Sequence, residues 1–152
     1  MEWTKEPFWI TDDTDRVDAD TVIHFLHSES YWGQDLPPEV IKQSIKHSVC
    51  LSLFDAQRQI GFARVITDRA VFGYVEDVFV SSQYRGNGLG QWLMECLLSH
   101  PVVSGLKKLM LATEDAQLLY QKYGFAPVAH PEMVMERYNR ESYSQFADTR
   151  PR

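Results

Sequence analysis

The sequence predicts a mixed α/β fold whose central sheet is partly antiparallel and flanked by helices. Three observations carry that reading. Apolar residues recur at helical spacing in four separate segments. Three successive strand-like runs are joined by links too short for a parallel crossover, which needs a dozen or more residues. The third of those runs then passes through a glycine-rich loop into a helix.

In chain order, "PFWITDD" reads as a first strand. "DADTVIHFLHSES" places Val22, Ile23, Phe25 and Leu26 at helical spacing, with Asp18 or Asp20 available as its cap. "YWGQDLPP" is a loop by its glycine and two prolines. "PEVIKQSIKHS" is a second helix, with Pro38 near its start and Val40, Ile41 and Ile45 on one side. "VCLSLFD" and "QIGFARVIT", joined through "DAQR", form a hairpin. "AVFGYVEDVFV" follows a turn around Asp68 and completes a meander. A helix is expected from about residue 88 to 99, with Leu89, Leu93, Cys96 and Leu97 on its apolar stripe. "KKLMLAT" then reads as a strand and "EDAQLLYQKY" as a helix closed by Gly124. "FAPVAHPEMVMERY" is expected to supply one or two last strands. The order is β-α-α-β-β-β-α-β-α-β, in a single domain over residues 1–140 with a polar tail over 141–152.

Composition narrows the function classes. The 152 residues suit one core, and 44% apolar with 24% charged residues is ordinary for a soluble globular chain. Fifteen basic against 21 acidic residues give a net charge of -6, which argues against a nucleic-acid partner. "MEWTKEPFWI" has no basic flank followed by a long apolar stretch, so no membrane partner and a cytoplasmic location are expected. Cys50 and Cys96 belong to no C-x-x-C pair and read as buried thiols. His24 and His27 lie three apart on a helix without a third ligand at sensible spacing, so no metal site is expected. No G-x-S-x-G is present to suggest a serine hydrolase.

The segment "SSQYRGNGLGQWL" puts Gly86, Gly88 and Gly90 at alternate positions where a helix begins. Helix N-termini present unpaired N–H groups and partial positive charge, and glycines let a ligand approach that backbone. This is an anion site suited to phosphate, to which Arg85 could add charge. Gly88-Leu89 is no G-K-[ST] Walker ending, and G-x-G-x-G is not the G-x-G-x-x-G of dinucleotide folds. By spacing alone, a purely structural turn stays open.

"QYRGNG", residues 83–88, matches the Q/R-x-x-G-x-G/A signature of the GCN5-related N-acetyltransferases, the GNAT family. "YVEDVFVSSQYRGNGLG" resembles that family's central strand and acetyl-CoA loop, and "LLYQKYGF" its following helix. The similarity runs from about residue 59 to 127. The resemblance implies the GNAT-like acyl-CoA N-acyltransferase fold, acetyl-CoA as cosubstrate and direct acyl transfer to an amine. It implies pyrophosphate binding by the backbone of Arg85, Gly86, Asn87, Gly88, Leu89 and Gly90, and pairing of the pantetheine arm with Val78, Phe79 and Val80. Thr113 stands where relatives often carry a cofactor-holding asparagine, and Tyr120 where they carry a tyrosine that protonates the departing thiolate. Dimers are frequent among relatives, so a homodimer is compatible with the resemblance.

Amine acetylation needs a neutral amine, and aliphatic ammonium groups have a pKa of about 10, so a base helps. Glu76 and Asp77 lie mid-strand in an otherwise apolar run, where a carboxylate is costly unless paired or exposed. Adjacent strand residues ordinarily point to opposite faces, so only one should face a given cleft. "EDVFV" resembles the central strand of the spermidine/spermine acetyltransferases, in which the glutamate at the Glu76 position is the proposed base acting through water. Asp77 is the second candidate base or an ammonium anchor, and a structural salt bridge is the alternative for either. Tyr120 lies on an aromatic-apolar helix face with Ala116, Leu119 and Tyr123, so core is its alternative, and the family match favours the acid. Tyr31 and Trp32 are candidates for binding the acceptor, or for plugging the core. The expected function is acetylation of a primary amine of a small molecule; a protein or peptide acceptor, a non-catalytic acyl-CoA sensor and an RNA-directed acetyltransferase are the alternatives.

Overall fold

Among the described residues, six strands form one sheet in chain order: β1 (Glu2–Lys5), β2 (Phe8–Thr11), β3 (Val49–Asp55), β4 (Arg58–Thr67), β5 (Phe72–Val80) and β6 (Lys108–Met110). The computed structural model describes residues 1–143. All neighbours pair antiparallel except β5 and β6, which pair parallel. Link length explains the difference. Only Ala56 and Gln57 separate β3 from β4, and Ala56 takes up the turn at φ 51. The turn into β5 is closed by Asp68, whose Oδ1 accepts from the N–H groups of Ala70, Val71 and Phe72 at 3.0, 2.8 and 3.0 Å. Between β5 and β6 lie the helices α3 (Leu89–Ser99) and α4 (Pro101–Ser104), enough chain for a parallel crossover.

Two helices precede the meander. α1 (Ala19–Ser28) is capped by Asp18, whose side chain accepts from Thr21 N and from Thr21 Oγ1 at 3.3 and 2.7 Å. α2 (Pro38–Lys46) opens on a proline, which has no N–H to leave unpaired. Together they cover one face of the sheet with Val22, Phe25, Leu26, Ile41 and Ile45, against Cys50, Phe62 and Phe79. Phe25 stacks on Phe79 with ring centroids 3.8 Å apart. The next residue, Val80, points the other way, and there α3 buries Leu89, Trp92, Leu93, Met94, Cys96 and Leu97.

Several elements differ from expectation. β1 escaped the sequence reading because Glu2–Lys5 is a largely exposed edge strand with no apolar alternation. α4 is a single turn, whose cap His100 accepts from Val102 N–H through Nδ1 at 3.2 Å. Met1–Leu111 is one compact unit, and a second begins at Ala112. Within the second, α5 (Gln117–Gln121) starts later than expected, because Thr113 Oγ1 accepts from Ala116 N at 3.1 Å and makes a turn of residues 113–116. α5 ends at Gln121, earlier than expected, and Gly124 closes the turn that follows it: Gly124 N–H donates to Gln121 O, Phe125 N–H to Tyr120 O, and Gly124 has φ 87. The strands expected in "FAPVAHPEMVMERY" are absent from the described residues. Pro127 and Pro131 each lack a ladder donor, a short 3-10 turn occupies Pro131–Met133, and Met133, Met135 and Tyr138 are exposed. The polar tail expected over 141–152 lies outside the described residues from residue 144 on. No described helix is long and apolar enough to cross a membrane.

Phe62 is fully buried between the sheet and α1. Phe62→Ala should lower the free energy of unfolding by about 3–5 kcal/mol, read as a lower urea midpoint at unchanged slope.

Candidate active site

The glycine loop is held rigidly at its base. Ser81 N–H donates to Ile60 O at 2.7 Å, and the Tyr84 hydroxyl donates to Asp55 Oδ2 at 2.9 Å. Arg85 folds back to donate from Nε to Val80 O at 3.1 Å. Beyond that base, Gly86 and Gly88 have φ 84 and 73, left-handed conformations that side chains with a Cβ rarely adopt. A Cβ built at either would meet nothing within 4 Å, so the constraint is conformational and the space above the loop is open. Gly88 is the N-cap of α3 and makes no side-chain cap bond. The first N–H of α3 to find a helical partner is that of Trp92, which donates to Gly88 O at 3.0 Å. The amides of Leu89, Gly90 and Gln91 are therefore free to meet an anion. Gly90 plays a lesser part, since a Cβ there would make only an ordinary 3.8 Å contact with Val80.

The strands beside this loop part company. β6 pairs with Phe72, Gly73 and Tyr74 of β5 and with no later residue. Among the described residues no strand pairs with residues 75–80 of β5 on that side, so the edge around Val78, Phe79 and Val80 can pair with an extended ligand. An unpaired strand edge leading to a bare helix N-terminus suits a long thioester carrying a diphosphate. Val80 O, however, is already engaged by Arg85.

Upstream on β5, the ladder with β4 is irregular. Phe62 opposes Phe79, but Arg64 opposes Glu76, so Asp77 and Val78 together face the single residue Ala63. This is a β-bulge, and Asp77 absorbs it at φ 55. The bulge breaks the expected alternation. Arg64 lies two residues from Phe62 and shares its face, toward α1 and α2; Glu76, directly opposite Arg64, shares that face too. Asp77 reaches the same side: its Oδ2 accepts from Arg64 Nε at 2.8 Å and its Oδ1 from Trp32 Nε1 at 2.9 Å. Both carboxylates thus serve one face.

Their environments differ. Asp77 is 5% exposed and has both oxygens engaged. Glu76 is half-buried, and among the described residues no side chain hydrogen-bonds its carboxylate. Burial first, and then the negative charge of Asp77, push the Glu76 pKa up, with Arg64 offsetting part of the rise. Trp32 leans on Phe25 at 6.2 Å between ring centroids, and Tyr31 stands edge-on to Trp32 at 5.1 Å. Farther along the same face a cavity of about 550 Å³ opens between α1 and residues 81–83, with Asp20, His24, Glu29 and Arg58 among its polar walls.

Two of the residues singled out from sequence, Thr113 and Tyr120, lie in the second unit. There Thr113 spends its hydroxyl on the Ala116 N–H, and half-buried Tyr120 packs edge-on against Phe125 at 5.9 Å. Cys50 and Cys96 are buried, with their pKa values pushed up to about 12 and about 11, so neither offers a thiolate. Among the described residues no group of three His, Cys, Asp or Glu side chains is arranged to hold a metal. Sequence reasoning passed over Arg64; the available signal was one charged residue inside the apolar run "QIGFARVIT". It also missed the cavity, since Asp20 and Glu29 look like ordinary helix-surface acids.

The pattern for the acetyltransferase (GNAT) domain matches residues 46–127, more than half of the chain. The chain belongs to the GNAT family of acetyltransferases. A GNAT-family protein of Xanthomonas campestris is 39% identical, with a TM-score of 0.85 over 90% of this chain and 96% of that one. A Gibberella zeae protein classed with the acetyltransferases is 26% identical and covers 80% of each chain. A mycothiol acetyltransferase of Corynebacterium glutamicum is 34% identical over 96 residues, 60% of this GNAT chain but 32% of that enzyme. The protein is thus an N-acetyltransferase of a family that uses acetyl-CoA as donor, and its sheet has the mixed pairing that the family resemblance implied.

A raised carboxylate pKa means that the folded protein binds this proton more tightly than the unfolded chain. An ionised Glu76 therefore weighs against folding, increasingly so as pH rises through the ordinary glutamate value of 4.5 and on through the higher folded value. Glu76→Gln should raise the urea midpoint at pH 7 and leave it nearly unchanged at pH 4, where the wild-type carboxyl already carries its proton.

Proposed function

We propose that this chain transfers the acetyl group of acetyl-CoA directly to a primary amine of a small molecule, with Glu76 as the base. The observation that carries the reading is the set of amides bared by Gly86 and Gly88 at the start of α3, continuous with the open edge of β5. The backbone of residues 85–90 holds the diphosphate, and the edge around Val78, Phe79 and Val80 lays the pantetheine arm toward the bulge. When bound, acetyl-CoA supplies an activated carbonyl carbon and a thiolate leaving group.

Glu76, without a hydrogen-bonded side-chain partner among the described residues and raised in pKa, takes a proton from the acceptor's ammonium, directly or through water. The amine nitrogen bonds to the carbonyl carbon, the carbon–sulfur bond breaks as Tyr120 gives the leaving sulfur its proton, and the proton that the nitrogen sheds as the amide forms returns through water to the Tyr120 oxygen, while Glu76 releases its own to solvent. The role of Tyr120 rests on the sequence match of "LLYQKYGF", and Thr113, its hydroxyl engaged at 3.1 Å with Ala116, is a weak candidate for holding the cofactor. Asp77, saturated by Arg64 and Trp32, cedes the base's role to Glu76. Two high-pKa thiols leave no nucleophile for an acyl-enzyme, which favours direct transfer. A small cationic acceptor fits the carboxylates Asp20 and Glu29 in the cavity wall, and the Corynebacterium relative is likewise named for a small molecule rather than a protein.

Calorimetry with coenzyme A, followed by thiol release from acetyl-CoA with a panel of amines, tests the reading. Binding with amine-dependent release supports it. Binding without release under any acceptor would favour an acyl-CoA sensor, and no binding by folded protein would end it. Glu76→Gln should cut kcat/KM by about a hundredfold, the scale of a lost general base, without weakening coenzyme A binding. Tyr120→Phe should lower kcat at unchanged coenzyme A affinity. Gly88→Val, which forces a β-branched residue to a φ of 73, should instead weaken that affinity at least tenfold.

A further inference from the structure

The ion pair beside the proposed base takes no part in the proposed proton transfer, yet both of its charges are buried in the sheet. Arg64 is 7% exposed and Asp77 5%. Removing two such charges from water costs several kcal/mol per ion in general, and a buried pair is poor evidence of stabilisation. Its geometry suggests another use. Arg64 stands directly across the ladder from Glu76, the carboxylate a regular strand would give it as partner. The bulge instead brings in Asp77, which takes the guanidinium through Nε at 2.8 Å, while Nη1 donates to Ser48 Oγ at 3.1 Å. The second oxygen of Asp77 faces outward from this pair and accepts from Trp32 Nε1 at 2.9 Å.

Trp32 sits in the connection between α1 and α2, and this is its one polar tie to the sheet among the described residues. The root of that connection is fastened to α1 itself: Ser30 Oγ donates to Leu26 O at 2.7 Å and accepts from Gly33 N–H at 3.0 Å, and His27 Nε2 lies 2.6 Å from Leu36 O. Tyr31 and Trp32 project beyond these ties, 50% and 39% exposed, with the rings edge to face. Trp32, anchored through its indole N–H to a buried carboxylate and with Tyr31 edge-on against it, makes an exposed aromatic wall set in place, not a plug in the core.

We propose that Arg64, Asp77 and the indole N–H of Trp32 form a latch that fixes the Tyr31–Trp32 wall beside Glu76, and so positions the acceptor amine while keeping the guanidinium off the base. Arg64 and Asp77 are positioning residues, acting through Trp32 and Glu76. The proposal rests on the reading of Glu76 as the base and extends it to acceptor selection. Within Met1–Leu111, the charged or titratable groups acting on Glu76 are Asp77 and Tyr74 on its own strand and Arg64 on β4. Asp77→Asn removes a negative neighbour and releases Arg64 toward Glu76; both changes favour the ionised base.

The test uses full-length wild type, Trp32→Phe and Asp77→Asn, with tyramine and spermidine as probe amines and thiol release as readout. Trp32→Phe keeps a ring and loses the N–H alone. It should raise KM for the amine at least threefold while the Kd for coenzyme A and the pH profile stay put. Asp77→Asn should move the acid limb of kcat/KM to lower pH, a shift that loss of packing alone would not produce. Amide exchange of residues 31–34 without substrate should be at least fivefold faster in Trp32→Phe, and it decides the matter even if neither amine is acetylated. Unchanged KM for an acetylated amine overturns the latch, as does unchanged exchange in that segment. Failure of wild type to bind coenzyme A would instead sink the acetyl-transfer reading, and the exchange result would still stand on its own.

Discussion

β5 carries two residues where its partner strand has one, and the arrangement of the site follows from that surplus. Arg64 stands opposite Glu76 on the ladder, and a regular strand would turn Asp77 to the other face and leave Glu76 as the one carboxylate beside it. With Asp77 at φ 55, both carboxylates come to the α1 face, and the guanidinium has a choice of partner. It takes Asp77, and Glu76 is left half-buried beside a negative neighbour. The bulge also displaces the strand just where β6 has ceased to pair with it, so the open edge and the unpaired carboxylate occur on the same stretch of chain.

Two adjacent acids thereby acquire different properties from one backbone irregularity. Asp77 has both carboxylate oxygens held by hydrogen bonds, whereas Glu76 has burial and a like charge raising its pKa. A carboxylate that ionises less readily is a stronger proton acceptor, and its burial weighs against stability, as expected where function sets the environment. The Arg64–Asp77 pair contributes location more than energy. The same division holds at the other end of β5. Tyr84, Asp55 and Ile60 hold the base of the glycine loop, and among the described residues nothing lies within 4 Å of where a Cβ at Gly86 or Gly88 would stand.

How far the sequence spoke can be judged residue by residue. The meander, α1 to α3 and their caps were readable because each rests on local rules: Asp18 before a periodic run, Pro38 at a helix start, short links between strands. β1 was not readable, because an exposed edge strand needs no apolar alternation. The strands expected after Gly124 failed in the described residues because β-prone composition is no substitute for a partner, and two prolines remove donors from the segment. Of the candidate site, the turn at Gly86 and Gly88 was legible, whereas the lesser part of Gly90 and the folding back of Arg85 onto Val80 O were not. Arg64 was not, since its importance depends on a strand that pairs with it from twelve positions along the chain.

Spacing alone was enough to write a glycine turn at a helix entrance into this chain, because glycines there act through their own backbone and need no distant partner. Which of two neighbouring carboxylates stays unpaired was beyond its reach. That outcome depends on ladder register, on where the bulge falls, and on an indole arriving from the connection between α1 and α2, and all three are contacts between segments far apart in the chain.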